Sequence, residues 1–152
     1  MYASYAVANR EPVRRDFREN TPEDFPSHET LYNLEAGYRL KSNKVFLNAN
    51  IYHMQYDNQL VLTGQINDVG GYTRTNVEDS YRMGVELEGG YQIFEKLGVT
   101  GNLTLSQNKI PTFTEYVDNY DVGGQDEIVH ENTDLAFSPS VIGGLNINYM
   151  PI

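Results

Sequence analysis

The stretch RMGVELEGGYQI, residues 82–93, alternates apolar residues with charged, polar or glycine residues. Its odd positions are mostly apolar: Met83, Val85, Leu87, Tyr91 and Ile93. Its even positions are mostly polar: Arg82, Glu86, Glu88 and Gln92. Because successive side chains of a β-strand point to opposite faces, the pattern predicts a strand with one apolar face and one polar face.

The same period of two recurs along the chain and predicts an all-β fold. The predicted strands are 2–9, 30–40, 45–57, 81–93, 97–108 and 138–150. At 8–13 residues each, they are longer than the usual strand of about 5–6 residues and close to the about 9–11 residues of a membrane-spanning strand.

Short and long connections alternate between these strands. Residues 41–44 and 94–96 make short turns, whereas 10–29, 58–80 and 109–137 are predicted to be long loops. In an antiparallel up-and-down sheet, all the short turns then lie at one end and all the long loops at the other. This segregation is typical of outer-membrane β-barrels.

Composition excludes several classes of function. The 152 residues include no cysteine and carry a net charge of −10, which argues against disulfides, thiolate metal sites and nucleic acid as a partner. No apolar run is long enough for a transmembrane helix. We find no catalytic constellation and predict no enzyme activity, no cofactor and no metal site. The acidic stretch 115–134 lacks EF-hand spacing, although a looser calcium site at Asp118, Asp121, Asp126 and Glu127 is left open.

Four stretches in order resemble the barrel of the TonB-dependent outer-membrane receptors, most closely those of Bacteroidetes-type Gram-negative bacteria. They are YASYAVANREPVRRDF (2–17), HETLYNLEAGYRL (28–40), VFLNANIYHMQYDNQL (45–60) and YTRTNVEDSYRMGVELEGGY (72–91). The second stretch resembles the family strand E-x-x-x-N-x-E-x-G-Y-[RK] at Glu29, Asn33, Glu35, Gly37, Tyr38 and Arg39.

The resemblance implies that residues 1–152 are a partial segment of a large transmembrane β-barrel in the outer membrane, without a plug domain in this chain. Its implied partners are outer-membrane lipid, the receptor's own plug and remaining barrel strands, and TonB acting through the plug. The implied function is active uptake of a scarce nutrient such as a ferric siderophore, haem or cobalamin. The polar positions would then face the lumen: Glu35, Arg39, Arg82, Glu86 and Glu88.

Four residues of the predicted outer loops are candidates for ligand contact. Arg14 and Arg15 could attract an anionic siderophore, although neighbouring Glu11 and Asp16 also suit a local salt-bridge cluster. Tyr116 and Tyr120 could contact a ligand from the acidic loop. Two other functions stay open: a small complete outer-membrane barrel with a structural or adhesive role, and a soluble barrel that binds an apolar ligand.

Overall fold

The computed structural model describes residues 1–20, 22, 25–67 and 69–151. Their strands, in chain order, are β1 (Tyr2–Arg10), β2 (Glu29–Lys41), β3 (Val45–Ile66), β4 (Tyr72–Phe94), β5 (Leu97–Asp118), β6 (Gln125–Asp134) and β7 (Val141–Tyr149), and helix α1 (Arg14–Glu19) lies between β1 and β2. From β1 to β5, each strand pairs antiparallel with the next one in the chain. The predicted fold class, an all-β antiparallel up-and-down sheet, is confirmed.

The connections divide the sheet into two unlike ends. At one end, which we call the turn end, residues 42–44 and 95–96 link β2 to β3 and β4 to β5. At the other, which we call the loop end, residues 11–28, 67–71 and 119–124 link the remaining consecutive strands up to β6. The chain therefore keeps its shortest turns at one end of the sheet.

The predicted long loops at 58–80 and 109–137 are wrong. β3 continues to Ile66 and β4 begins at Tyr72, while β5 continues to Asp118 and pairs with β6. Backbone pairing continues after the apolar alternation has ended, because the strand needs only residues that suit an extended backbone. Near the loop end, β4, β5 and β6 are accordingly rich in β-branched residues, among them Thr73, Thr75, Val77, Thr112, Thr114 and Val129.

Strands β6 and β7 occupy one position in the sheet, because both pair antiparallel with β5. Between them, residues 135–140 lie opposite residues 106–108 of β5. These six residues opposite three form an irregular bulge. Two polar side chains of β5 hold it: Ser106 Oγ donates to the Pro139 carbonyl at 3.0 Å, and Asn108 Nδ2 donates to the Ser138 carbonyl at 3.4 Å. Where the sequence predicted a strand over 138–150, β7 begins only at Val141, after this bulge.

The strand register collects polar and apolar positions on opposite faces of the sheet. One row across the sheet joins Ala3, Ala36, Ile51, Val85, Leu105 and Val141. The next row toward the turn end joins Tyr2, Gly37, Asn50, Glu86 and Thr104. We call these two sides the apolar face and the polar face. On the apolar face, Leu34 and Ile51 are each 56% exposed, so no other described element covers them.

Near the loop end, β4 and β5 separate. Their last pair in this direction is Tyr81 with Lys109. Beyond it lies a small buried cluster of Val77, Ile110 and Leu135, against which Val61 and Phe113 pack. The hydrophobic core of the described residues is therefore at the loop end and not along the two-faced part of the sheet.

Two hairpins lie at the loop end, and we call them the first outer hairpin (58–80) and the second outer hairpin (109–134). They contact each other where β4 and β5 separate. Gln125 Nε2 donates to the Gly64 carbonyl at 2.9 Å, and the Ile66 amide donates to Gln125 Oε1 at 3.1 Å. A Cβ placed on Gly64 would lie 2.5 Å from the Tyr116 carbonyl oxygen, so only glycine allows this approach. Gly64 also has a φ of +86°, which suits glycine.

Helix α1 lies against β4 and the tip of the first outer hairpin. Asn20 Nδ2 donates to the Arg74 carbonyl at 3.2 Å, and Asn67 Nδ2 donates to the Glu19 carbonyl at 3.1 Å. Asp16 is only 5% exposed, accepts the Val13 amide at 2.8 Å and lies 3.8 Å from the Arg74 guanidinium. These contacts hold the connection between β1 and β2 over the loop end.

Candidate functional site

The polar face carries two hydrogen-bonded chains that cross several strands. In the first, Arg39 Nε donates to Asn48 Oδ1 at 3.1 Å, and Asn48 Nδ2 donates to Glu88 Oε2 at 2.8 Å. These residues are direct partners on β2, β3 and β4, so the register itself brings them together. Asn48 separates the guanidinium from the carboxylate and gives each a neutral partner.

The second chain lies two rows closer to the loop end. Tyr2 Oη donates to Asn50 Oδ1 at 2.9 Å, and Asn50 Nδ2 donates to Glu86 Oε2 at 3.2 Å. Gly37 lies between them on β2, where a Cβ would come within 2.2 Å of the Tyr2 ring. The glycine therefore lets the tyrosine cross its strand and reach β3.

The other two charged candidates of the polar face lie nearer the loop end. Glu35 accepts the Asn33 amide at 2.7 Å. Arg82 has its guanidinium carbon 6.0 Å from the centre of the Tyr56 ring, within the range of a cation–π contact. The buried Arg82 Nε and Asn33 Oδ1 have no hydrogen-bond partner among the described residues. The five sequence candidates thus share one face but do not form one cluster.

Between the two chains and β7, the polar face forms a concavity of about 560 Å³. Three of the five charged candidates line it: Arg39, Glu86 and Glu88. The residues that connect them, Tyr2, Asn48 and Asn50, were not predicted as site residues. Their even positions between apolar residues indicated that they lie on the polar face. Only the pairing register shows which charged group each of them contacts.

The predicted ligand contacts of helix α1 are exposed and differ in their surroundings. Arg15 Nε donates to Glu19 Oε1 at 2.8 Å one turn further along the helix, so its charge is partly compensated. Arg14 is exposed, and no hydrogen bond or ion pair joins it to another described residue. Of the salt-bridge cluster expected here, Asp16 contacts Arg74 of β4 and not a neighbouring arginine of the helix.

The predicted tyrosine contacts lie on the second outer hairpin. Tyr116 belongs to β5 and is half-buried beside Gly64, whereas Tyr120 lies in the turn that follows and is 92% exposed. Nothing that the structure describes joins these tyrosines to Arg14 or Arg15. The four candidates therefore form two separate places at the loop end.

In the described part of the chain, no group of three or more histidine, aspartate or glutamate side chains is arranged to hold a metal ion. No helix among those residues is long and apolar enough to cross a membrane.

A family model described as "TonB dependent receptor-like, beta-barrel" matches residues 1–151. The chain belongs to this family. The family consists of outer-membrane receptors that act as transporters and not as enzymes. The predicted family is therefore confirmed, and the open sheet described above is a partial segment of its barrel.

Solved structures with the same fold agree with this assignment. The chain is 18% identical to the copper transporter OprC, with a TM-score of 0.60, and the match covers 99% of this chain and 28% of that one. It is 14% identical to the FrpB iron transporter from Neisseria meningitidis (F3-3 variant), with a TM-score of 0.55, covering 99% of this chain and 30% of that one. The chain spans less than a third of either protein. Among curated proteins, the search gives no match.

Proposed function

We propose that this chain is part of the barrel wall of an outer-membrane receptor that actively takes up a scarce nutrient. The family match carries the proposal, and the two-faced sheet supports it. On β4 the apolar positions run from Met83 to Ile93, which at about 3.3 Å per residue and a tilt of about 40° spans about 25 Å, the height of a lipid-facing band. Outer-membrane lipid would contact this apolar face.

The polar face would line the lumen and contact the receptor's plug. Glu35, Arg39, Arg82, Glu86 and Glu88 are the proposed lumen residues. For all of them except Arg82, asparagine partners supply the hydrogen bonds that charged groups need away from bulk water. The plug would couple this wall to TonB, and further barrel strands would pair with β1 and with β6 and β7.

The nutrient is proposed to contain a metal, as a ferric siderophore, haem or cobalamin does. Both similar structures are named as metal transporters, one for copper and one for iron. Arg14, Arg15, Tyr116 and Tyr120 remain the proposed ligand contacts. Arg14 is the strongest of them, because its charge has no partner among the described residues and is free to attract an anionic complex.

The test is growth of the native host after deletion of the whole gene that encodes this chain. We expect slower growth when one of the three nutrients is the limiting source, and restoration by the complete gene. A host that lacks TonB is the matched control, since both strains should lose the same uptake. Unchanged uptake of every one of these nutrients in the deletion strain would contradict the proposal.

The two other functions considered from the sequence require a closed barrel. In a small complete barrel or a soluble one, β1 would pair with the last strand. Among the strand pairs that the structure describes, β1 pairs with β2 alone. No observation therefore favours either alternative over the receptor.

A further inference from the structure

Three of the four lysines in the chain lie at the turn end of the sheet: Lys41, Lys44 and Lys96. The first is the last residue of β2, and the other two belong to the turns at 42–44 and 95–96. The Gln92 amide donates to the Lys44 carbonyl at 2.8 Å, which holds the first turn beside the end of β4. Strand pairing therefore concentrates positive charge at this end of a chain whose net charge is −10.

The three lysines line one cavity of about 520 Å³. All three are exposed, and none of the salt bridges among the described residues involves them. No described residue that lines the cavity is acidic, whereas Ser42 and Asn43 add hydrogen-bond donors. This lining favours an anion, and lysine ammonium groups bind phosphate well as point charges.

A second cavity, of about 360 Å³, adjoins the first and is lined mostly by residues of the apolar face. The two cavities share Val45, Tyr91 and Val99. No charged residue lines the second one in the described part of the chain, and Gly89 and Gly101 lie opposite each other within it, on β4 and β5. Because these two glycines have no side chains, they leave a groove in the apolar face. A cationic cavity beside an apolar groove matches a molecule with an anionic head and a hydrocarbon tail.

The position of these cavities suits the boundary between lipid tails and head groups. In outer-membrane barrels the short turns face the periplasm, so the turn end lies at the inner leaflet. Tyrosine rings are exposed on the apolar face near this end, as is common at a membrane interface: Tyr38, Tyr91 and Tyr149. Lysines at that depth extend their ammonium groups toward lipid phosphates while their methylene chains stay against apolar surface.

We propose that the turn end binds an anionic phospholipid of the inner leaflet. Its phosphate would lie among the three lysines, and one acyl chain would follow the groove at Gly89 and Gly101. This proposal rests on the proposed barrel wall, because that placement puts the turn end at the membrane interface. It goes further in naming one class of lipid, whereas a barrel wall requires only contact with lipid tails. The bound lipid would fix the depth of the turn end in the membrane.

The test is native mass spectrometry of the full-length receptor in detergent, with phosphatidylglycerol and zwitterionic phosphatidylcholine as the two probes. We expect phosphatidylglycerol to bind more tightly. Lys41→Gln, Lys44→Gln and Lys96→Gln combined should weaken its binding by about tenfold, because its phosphate then loses the positive charges. All three side chains are exposed, so this variant should fold. The matched control combines Arg14→Gln, Arg15→Gln and Arg18→Gln, which remove the same charge at the loop end and should leave lipid binding unchanged.

A second variant, Gly89→Leu, tests the groove for the acyl chain. A Cβ on Gly89 would lie 3.5 Å from the Phe46 carbonyl oxygen and 3.6 Å from Leu47 Cδ1, which are ordinary contact distances. The leucine side chain therefore fits and should fill the groove, so we expect weaker binding of phosphatidylglycerol. An excess of inorganic phosphate should not displace the lipid from the native receptor, because free phosphate has no tail.

Equal binding of the two lipids, or equal loss in the lysine and arginine variants, would overturn the proposal. Displacement by inorganic phosphate, or unchanged affinity in Gly89→Leu, would overturn it too, since the lysines would then bind an anion only. Binding of polyglutamate without binding of phosphatidylglycerol would contradict it in favour of an acidic polypeptide. Normal nutrient uptake in the deletion strain would contradict the transport function alone and would not alter the lipid measurements, so the two failures are distinguishable.

Discussion

Phe137 combines a bulky side chain, complete exposure and a left-handed backbone. It is 104% exposed and has a φ of +57°. A non-glycine residue with that backbone costs about 1 kcal/mol or more, and no other described residue buries the ring to offset this cost. The bulge at 135–140 holds it in place through the bonds from Ser106 and Asn108 to the neighbouring carbonyls.

We therefore expect Phe137→Gly to stabilise the bulge by about 1 kcal/mol, because glycine adopts this backbone without strain. Hydrogen exchange at the Leu135 amide, which donates to the Asn108 carbonyl at 3.0 Å, reports the local opening. Phe137→Ala is the control, since it removes the ring but keeps most of the backbone strain. Equal exchange rates in both variants would show that the strain is absent.

Asn76 joins three segments with one side chain. Its Oδ1 accepts the Ser27 amide at 2.8 Å, and its Nδ2 donates to the carbonyls of Ser27 at 3.1 Å and Asn58 at 2.6 Å. Asn58 has a φ of +55°, so this bond also supports an unfavourable backbone on β3.

Asn76→Ala should loosen the connection between β1 and β2 by about 1–3 kcal/mol, because three backbone groups lose their partner. Faster hydrogen exchange at the Ser27 amide and earlier proteolysis within 25–28 are the expected results. Asn43→Ala in the short turn is the control, as no side-chain hydrogen bond of Asn43 is described. Similar exchange in the two variants would argue against the role of Asn76.

At the scale of the elements, the outer hairpins depend on contact at Gly64. Gly64→Ala should destabilise their association by about 1–3 kcal/mol, since the new Cβ meets a backbone carbonyl and also strains a positive φ. Gly70 has a φ of +79° but nothing within 4 Å of its would-be Cβ. Gly70→Ala therefore carries the conformational cost without the clash.

The difference between the two variants measures the contact itself. The measurement is limited proteolysis of the intact receptor, in which the protease should cut the first outer hairpin sooner in Gly64→Ala than in Gly70→Ala. If both variants resist equally, the hairpins are not held together at this point.

The alternation of residues 82–93 was sufficient to predict which side chains share a face, because a strand has no other way to arrange them. It was not sufficient to predict where β4 begins, since Thr73 and Thr75 extend the strand without an apolar pattern. Helix α1 was also missed: six residues are too few to form a stable helix alone, and contacts with Arg74 and Asn67 hold it in place. The helix was decided by tertiary contacts, which no local pattern contains.

In the candidate site, too, some features could be predicted from the sequence and others could not. Glu86 and Glu88 were assigned to the polar face from their positions in the strand. Their partners Asn50 and Asn48 became evident only from the register between β3 and β4, which depends on the pairing of whole strands. Arg14 and Tyr120 were chosen for their residue type alone, and no geometry connects them.

At the scale of the whole molecule, the two faces should respond differently to the same charge. Leu87→Arg puts a cation on the proposed lipid face and should destabilise the barrel by about 2–4 kcal/mol if it lies near mid-depth. Glu86→Arg, one residue away on the polar face, is the matched control and should assemble nearly as well as the native receptor.

The measurement is the fraction of full-length receptor that is folded in outer membranes, read from its heat-modifiable mobility. We expect a marked loss of the folded form for Leu87→Arg and a small one for Glu86→Arg. The opposite order would show that the faces are assigned the wrong way round.

Nearest-neighbour pairing from β1 to β5 also bears on how the sheet is assembled. Each strand from β2 to β5 pairs with the strand that precedes it, so pairing can advance hairpin by hairpin. From β2 onward each step closes only a short loop, at 42–44, 67–71 or 95–96. The turns at 42–44 and 95–96 would start two of these hairpins. A change at either turn should therefore slow assembly of the sheet and have less effect on the strand pairing of the finished sheet.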